Sequence, residues 1–146
     1  MSQNKLKEEI QQMNHWWHKL IFLCSRNENM NLSIPLLNEM NKVNVNKVLS
    51  EKLLHISKSK YPLHVEDMLQ DVFKDTNQMY LLCHIDILFD PVLQIHPVRL
   101  LENISKSYKI IVEWPGRYKD NQLYYAEYGH PEYFSCRDFE GKVMFI

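Results

Sequence analysis

Cysteine, histidine and aspartate follow one another in MYLLCHIDILFD, where Cys83 and His84 close an apolar run and Asp86 and Asp90 come a little later. An acid beyond a hydrophobic strand can hold a magnesium shell or polarise water in phosphoryl transfer. Strand ends also meet solvent and carry acids for that reason alone, and the residues by themselves favour this plainer role. His15 and His18 in HWWH lie three apart, so on a helix they would share a face, and two imidazoles can begin a metal site. The next histidine is His55, so no third ligand is near in sequence, and a surface pair beside a buried Trp17 is expected. His130 in YGHPEY has no Ser/Asp or Cys/Asp partner marked by spacing, and Cys136 is close to it in number only. Gly129 and Pro131 make it a turn residue instead. Tyr124, Tyr125, Tyr128 and Tyr133 offer ring faces on which bases could stack. Arg137 and Lys142 are the nearby downstream cations, too few for that role, so packing or protein contact is expected.

A further stretch, FLCSRNENMNLSIPLL (Phe22 to Leu37), passes from an apolar run through a polar turn to a helix-like run. A phosphate loop, G-x-x-x-x-G-K-[ST], sits at such a junction. Its glycines let backbone amides turn onto phosphate, its lysine bridges the terminal phosphates, and its hydroxyl holds magnesium. With Leu23 and Cys24 at the strand end, the motif positions fall on Ser25, Met30, Asn31 and Leu32, and none has the required type. From its own residues, the segment Ser25, Arg26, Asn27, Glu28, Asn29, Met30, Asn31, Leu32 is a strand–turn–helix connection. The rival is a site in which backbone amides of Asn27 to Asn31 hold phosphate at a helix N-terminus, which needs no lysine. Arg26 or a neighbouring subunit's arginine would supply charge there, and Asp86 would act on metal or water.

The elements that must position these residues show in the apolar spacing. Leu6, Ile10, Met13 and Trp17 recur at helical intervals and predict an amphipathic helix ending near His18. KLIFLC (Lys19 to Cys24) is a short continuous apolar run, as in a strand buried on both faces. Leu32 to Met40 reads as a helix capped by Asn31 or Ser33, with Pro35 tolerated in its first turn. VNVNKV is a short strand, followed by a helix over Ser50 to Ile56. Val65, Met68, Leu69, Val72 and Phe73 mark a helix. A central strand is expected near Met79 to Ile85, a helix from Pro97 to Ser105, and a strand in YKIIVEW stopped by Pro115 and Gly116. LYYAEY and EYFSCRDF look extended, and KVMFI is a candidate last strand. Strands alternating with amphipathic helices predict an α/β fold with a mostly parallel central sheet.

The chain has 146 residues, 45% of them hydrophobic and 24% charged, which suits one domain with its own core. Seventeen basic residues against eighteen acidic ones give no global attraction to nucleic acid or to an acidic membrane. Residues 1–60 hold nine Lys/Arg and five Asp/Glu, and residues 61–146 hold eight and thirteen, a mild split that would favour head-to-tail packing or a partner. Cys24, Cys83 and Cys136 are far apart and form no C-x-x-C, so reduced thiols and a cytoplasmic location are expected. The polar start MSQNKLKEEIQQ has no signal core, and no apolar run approaches the roughly 20 residues of a membrane span.

The order of pieces, from KLIFLC through VNVNKVLSEKLL, ILFDPVLQIHPVRLL and VEWPG to YAEYGHPEY, resembles the BrxF family. These are small phosphate-loop-type proteins of type 3 BREX phage-defence systems, and the resemblance runs from about His18 to Tyr133. It implies a three-layer P-loop NTPase-like domain over residues 1–146, with an N-terminal helix over 1–18 and an aromatic-rich segment over 117–146. The family pattern is an intact glycine-lysine loop and an acid-ended strand. Here the loop residues are gone, the first strand acid falls on Cys83, and Asp86 alone keeps an acidic group, as a degenerate strand-end acid. Two sites failing together imply an accessory scaffold with no catalytic residue, no metal and no cofactor. Nucleotide binding with magnesium is the alternative, and a DNA-binding accessory is a third reading. The expected partners are other defence-system proteins or further copies of the chain, reaching DNA indirectly. Trp16, Trp17 and the C-terminal aromatics are the expected contact residues.

Overall fold

The structure is a computed structural model and describes residues 2–25 and 35–146. Its strands are β1 (Leu20–Cys24), β2 (Asn41–Asn44), β3 (Met79–Cys83), β4 (Lys109–Glu113), β5 (Arg117–Lys119), β6 (Gln122–Tyr125), β7 (Phe134–Cys136) and β8 (Lys142–Phe145). Five of them form one sheet in the order β2-β3-β4-β1-β8, and every adjacent pair is parallel. The register sets Leu20 beside Ile110, Ile21 beside Lys142, Met79 beside Lys109 and Asn41 beside Tyr80. The apolar runs LIFLC, YLL and IIV supply its interior, because a parallel sheet is covered on both faces and has no side to give to water.

From β1 the chain crosses to the far edge at β2. From β2 it returns strand by strand through β3 and β4, and then passes over β1 to β8. Right-handed crossovers in opposite directions must lie on opposite faces. One face carries α1 (Ser2–Gln12) and α2 (Pro35–Asn38), with Leu6, Met13, Leu37 and Met40 packed on Ile21, Leu23, Leu81 and Ile111. The other carries α3 (Val45–Leu53), α4 (Tyr61–Gln70) and α5 (Pro97–Ser105), packed on Leu20, Phe22, Leu82, Ile110 and Val112. The fold is α/β with a parallel central sheet, as the spacing predicts. No helix of the described residues is long and apolar enough to cross a membrane.

Several boundaries differ from the sequence expectation. The first helix stops at Gln12, a short 3₁₀ turn covers Met13–His15, and Trp16 is extended. His15 and His18 therefore share no helix face, and Trp16 packs on the core while Trp17 stands 77% exposed. The strand expected over Val43 to Val48 lies at Asn41–Asn44 instead. Asn44 ends it by accepting a hydrogen bond from Lys47 N (3.1 Å), which starts α3 at Val45. Of the helix expected over Leu32 to Met40, α2 is the described part, and its expected caps Asn31 and Ser33 lie outside the described residues. The C-terminal segment forms a second sheet, the antiparallel meander β5-β6-β7, packed on the same face as α5.

A polar network ties the chain beyond β7 to α5. Glu102 is 6% exposed, takes Arg99 Nη1 on both oxygens (2.9 Å each), and accepts Glu140 N (2.6 Å). Arg99 Nη2 also donates to Asp138 O (2.6 Å). At the start of α5, His96 Nδ1 accepts Arg99 N (3.1 Å), which requires a neutral imidazole. Burial, with the Arg99 charge second, holds this His96 below its ordinary value of 6.5. The cap is therefore intact above that value and is lost as pH falls through the depressed one.

Replacing Glu102 by alanine leaves Arg99 Nη1 and the Glu140 N–H without their acceptor. We expect Glu102→Ala to lose about 2 kcal/mol in urea unfolding, and Glu102→Gln to recover only part of it, since its single carbonyl oxygen replaces two acceptors.

Candidate functional site

In an open parallel sheet, ligands bind beyond the carboxyl ends of strands whose connections leave toward opposite faces. Here β1 and β4 are neighbours; α2 lies on one face and the β5-β6-β7 meander on the other. Their carboxyl ends and those of β3 and β8 bring together Cys24 and Ser25, Cys83 and His84, Asp86, Glu113 and Trp114, and Phe145. Of the sequence-predicted loop Ser25 to Leu32, Ser25 is half-buried at the end of β1, and Arg26 to Leu32 lie outside the described residues.

Asp86 opens a 3₁₀ turn, Asp86–Phe89, and is half-buried. Its Oδ2 accepts the hydroxyl of Tyr125 at 3.0 Å, and the Tyr125 ring stacks on Phe89 with centroids 3.8 Å apart and planes 10° from parallel. Burial first, and the bond to Asp86 second, push the Tyr125 hydroxyl up to about 12, so it stays a donor at neutral pH. His84 adopts a left-handed backbone (φ 52°), uncommon for a residue with a Cβ. The conformation is held because His84 O accepts Asn46 N (2.8 Å) and Asn46 Oδ1 accepts Ile87 N (2.7 Å). The strand end is thus pinned to the start of α3.

Cys83 donates its thiol to Val43 O (3.5 Å). Burial, and next the charge of Glu113, raise it, so it remains a thiol and a poor nucleophile. Cys24 is buried and pushed up to about 12, which makes it inert in the same sense. Glu113 is a functional candidate that no motif spacing marks. Burial raises the Glu113 carboxyl; His84 opposes that shift, Asp86 adds to it, and Lys42 opposes it more weakly. Its signal was in the sequence, since Glu113 ends an apolar strand just as the Asp86 segment follows one. Among the described residues no group of three or more His, Cys, Asp or Glu side chains is placed to hold a metal ion.

Beside Ser25 opens a cavity of about 440 Å³ lined by Arg117, Tyr118, Lys119 and Phe145. Arg117 lies 5.5 Å from the centre of the Tyr124 ring and 3.7 Å from Glu127. The remaining predicted residues are scattered and structural. His15 is exposed, while His18 is half-buried, 4.0 Å from Glu140. Asp90 Oδ1 accepts Val92 N (3.0 Å) and caps a 3₁₀ turn. His130 Nδ1 accepts Glu132 N (3.0 Å) in the turn that Gly129 begins. Of the tyrosines, Tyr125 packs against the core and Tyr124 is half-buried, whereas Tyr128 is 90% exposed with Tyr133 edge-on to it at 5.5 Å. No family model, curated protein or solved structure matches this chain.

A carboxyl raised above its ordinary 4.5 costs stability once it ionises. The wild type therefore keeps this increment below 4.5 and loses it as pH rises through the raised value. Glu113→Gln should be more stable than wild type at neutral pH in thermal unfolding, with the difference vanishing below pH 4.5.

Proposed function

We propose that the chain is a non-hydrolysing accessory scaffold of a bacterial phage-defence system, built on a P-loop NTPase-like domain whose phosphate site is degenerate. The observation that carries this reading is the hydrogen bond between Tyr125 and Asp86 (3.0 Å). The one acid retained beyond the central strand is used to hold the C-terminal meander, and Cys83, a protonated thiol, stands where a metal-holding acid would be. Phosphoryl transfer needs positive charge and metal on the transferring group, and Ser25, Met30, Asn31 and Leu32 supply neither. Two further features support the reading. Ser25 follows the carboxyl end of β1, beside the crevice where such a sheet keeps its phosphates. Of the segments that carry the resemblance to the BrxF family, VEWPG leads from β4 into the meander, ILFDPVLQIHPVRLL packs on the meander through Phe89 and His96, and YAEYGHPEY links β6 to β7.

The cavity beside Ser25 favours a second reading, nucleotide binding without hydrolysis. Arg117 and Lys119 offer charge to phosphate there, and Tyr118 and Phe145 offer aromatic surface.

Calorimetric titration with magnesium-ATP separates the two. The scaffold reading predicts no saturable heat and no phosphate release above buffer. Saturable, magnesium-dependent binding would overturn it, and loss of that binding in Arg117→Ala/Lys119→Ala would establish the second reading.

A further inference from the structure

The strand β2 is one edge of the parallel sheet, and among the described residues no strand covers its outer side. An uncovered edge presents backbone donors and acceptors that another strand can satisfy. The Cys83 thiol reaches Val43 O, so that carbonyl points toward β3. Backbone alternation then turns the N–H and C=O of Lys42 and the N–H of Asn44 outward, while the Asn44 carbonyl, at the N-cap of α3, accepts the first bond of that helix. Along this edge runs a groove of about 710 Å³ with Val43, Val48, Val72 and Tyr80 among its lining. Of its charged residues, Lys42 lies on β2 itself and the other three are sorted by position. Lys47, in the first turn of α3, marks the end where β2 finishes. Asp75, just ahead of β3, marks the end where β2 begins, and Glu51 lies one helical turn back from Lys47 toward it.

We propose that this edge pairs antiparallel with β2 of a second copy of the chain, across a two-fold axis, to make one continuous sheet. Charge decides the occupant. A two-fold rotation lays the Lys47 end of each groove on the Asp75 and Glu51 end of the other, so the groove complements itself. Charge also sets the register. Pairs about a two-fold axis must keep side chains on their own faces, so either Lys42 or Val43 meets its own copy. Centring on Lys42 would place two ammonium groups directly opposite, which is destabilising. Centring on Val43 sets valine on valine and Lys42 opposite Asn44 of the other copy. The Asn44 N–H of each copy then donates to the Lys42 carbonyl of the other, one bond on each side of the axis. This inference is independent of the nucleotide question, since the groove is lined by β2, α3 and the residues ahead of β3.

Sedimentation velocity of the full chain over a concentration series tests it. The wild type should dimerise reversibly. Lys47→Glu, and separately Glu51→Lys/Asp75→Lys, should each weaken self-association at least tenfold while keeping the wild-type circular dichroism. Mixing the two variants should restore a dimer by bringing opposite charges together. A wild type that stays monomeric throughout would overturn the proposal and leave the edge to a strand from another protein. Variants that dimerise as tightly as wild type would overturn it as well.

Discussion

The indole of Trp114, 1% exposed, is the contact on which the two sheets depend. It follows β4 directly, meets Phe22 edge-on at 5.6 Å and Phe89 edge-on at 5.5 Å, and donates Nε1 to Tyr124 O at 2.9 Å. The first two contacts fix it to the parallel sheet and the 3₁₀ turn after β3; the third fixes β6. Aromatic pairs of this kind contribute about 0.5–1.5 kcal/mol each beyond their burial. Gly116 makes the approach possible, since a Cβ there would collide with the Tyr124 carbonyl. Once Trp114 and Phe89 are in place, Tyr125 stacks on Phe89 and its hydroxyl donates to Asp86.

This order of dependence explains why strand ends that look like a site in the sequence carry structural contacts in the fold. The crevice follows from topology, because the elements beyond β1 and β4 lie on opposite faces whatever residues end the strands. What the residues add is cohesion. Asp86 holds the meander, His84 with Asn46 pins β3 to α3, and Cys83 bonds to the edge strand. Glu113 is the exception, a half-buried acid raised by burial, for which no side-chain hydrogen bond is seen among the described residues.

Much of the frame was legible in the sequence. KLIFLC, MYLLC and YKIIVEW are buried strands because their apolar runs are continuous, and the helix from Pro97 to Ser105 begins and ends where its proline and its spacing indicate. Boundaries set by a single cap were not legible: Asn44 closes β2 with its side chain, which apolar periodicity does not register. The tryptophan pair was misread for a related reason. A helix continuing to His18 would bury Trp17, but the chain turns extended at Trp16 and packs that half-buried ring on the core instead. Contacts between distant residues were the least legible. Asp86 and Tyr125 are 39 positions apart, and nothing local in either segment indicates that they meet. Ser25 was legible as the residue that follows β1, and Arg26 to Leu32 lie outside the described residues.

The central claim is that Asp86 serves cohesion through Tyr125. A double-mutant cycle in urea unfolding with Asp86→Asn and Tyr125→Phe tests it most directly. A favourable coupling of about 1 kcal/mol or more is predicted, as for a hydrogen bond to a charged acceptor. Strictly additive losses would contradict it and return Asp86 to the list of groups free for chemistry.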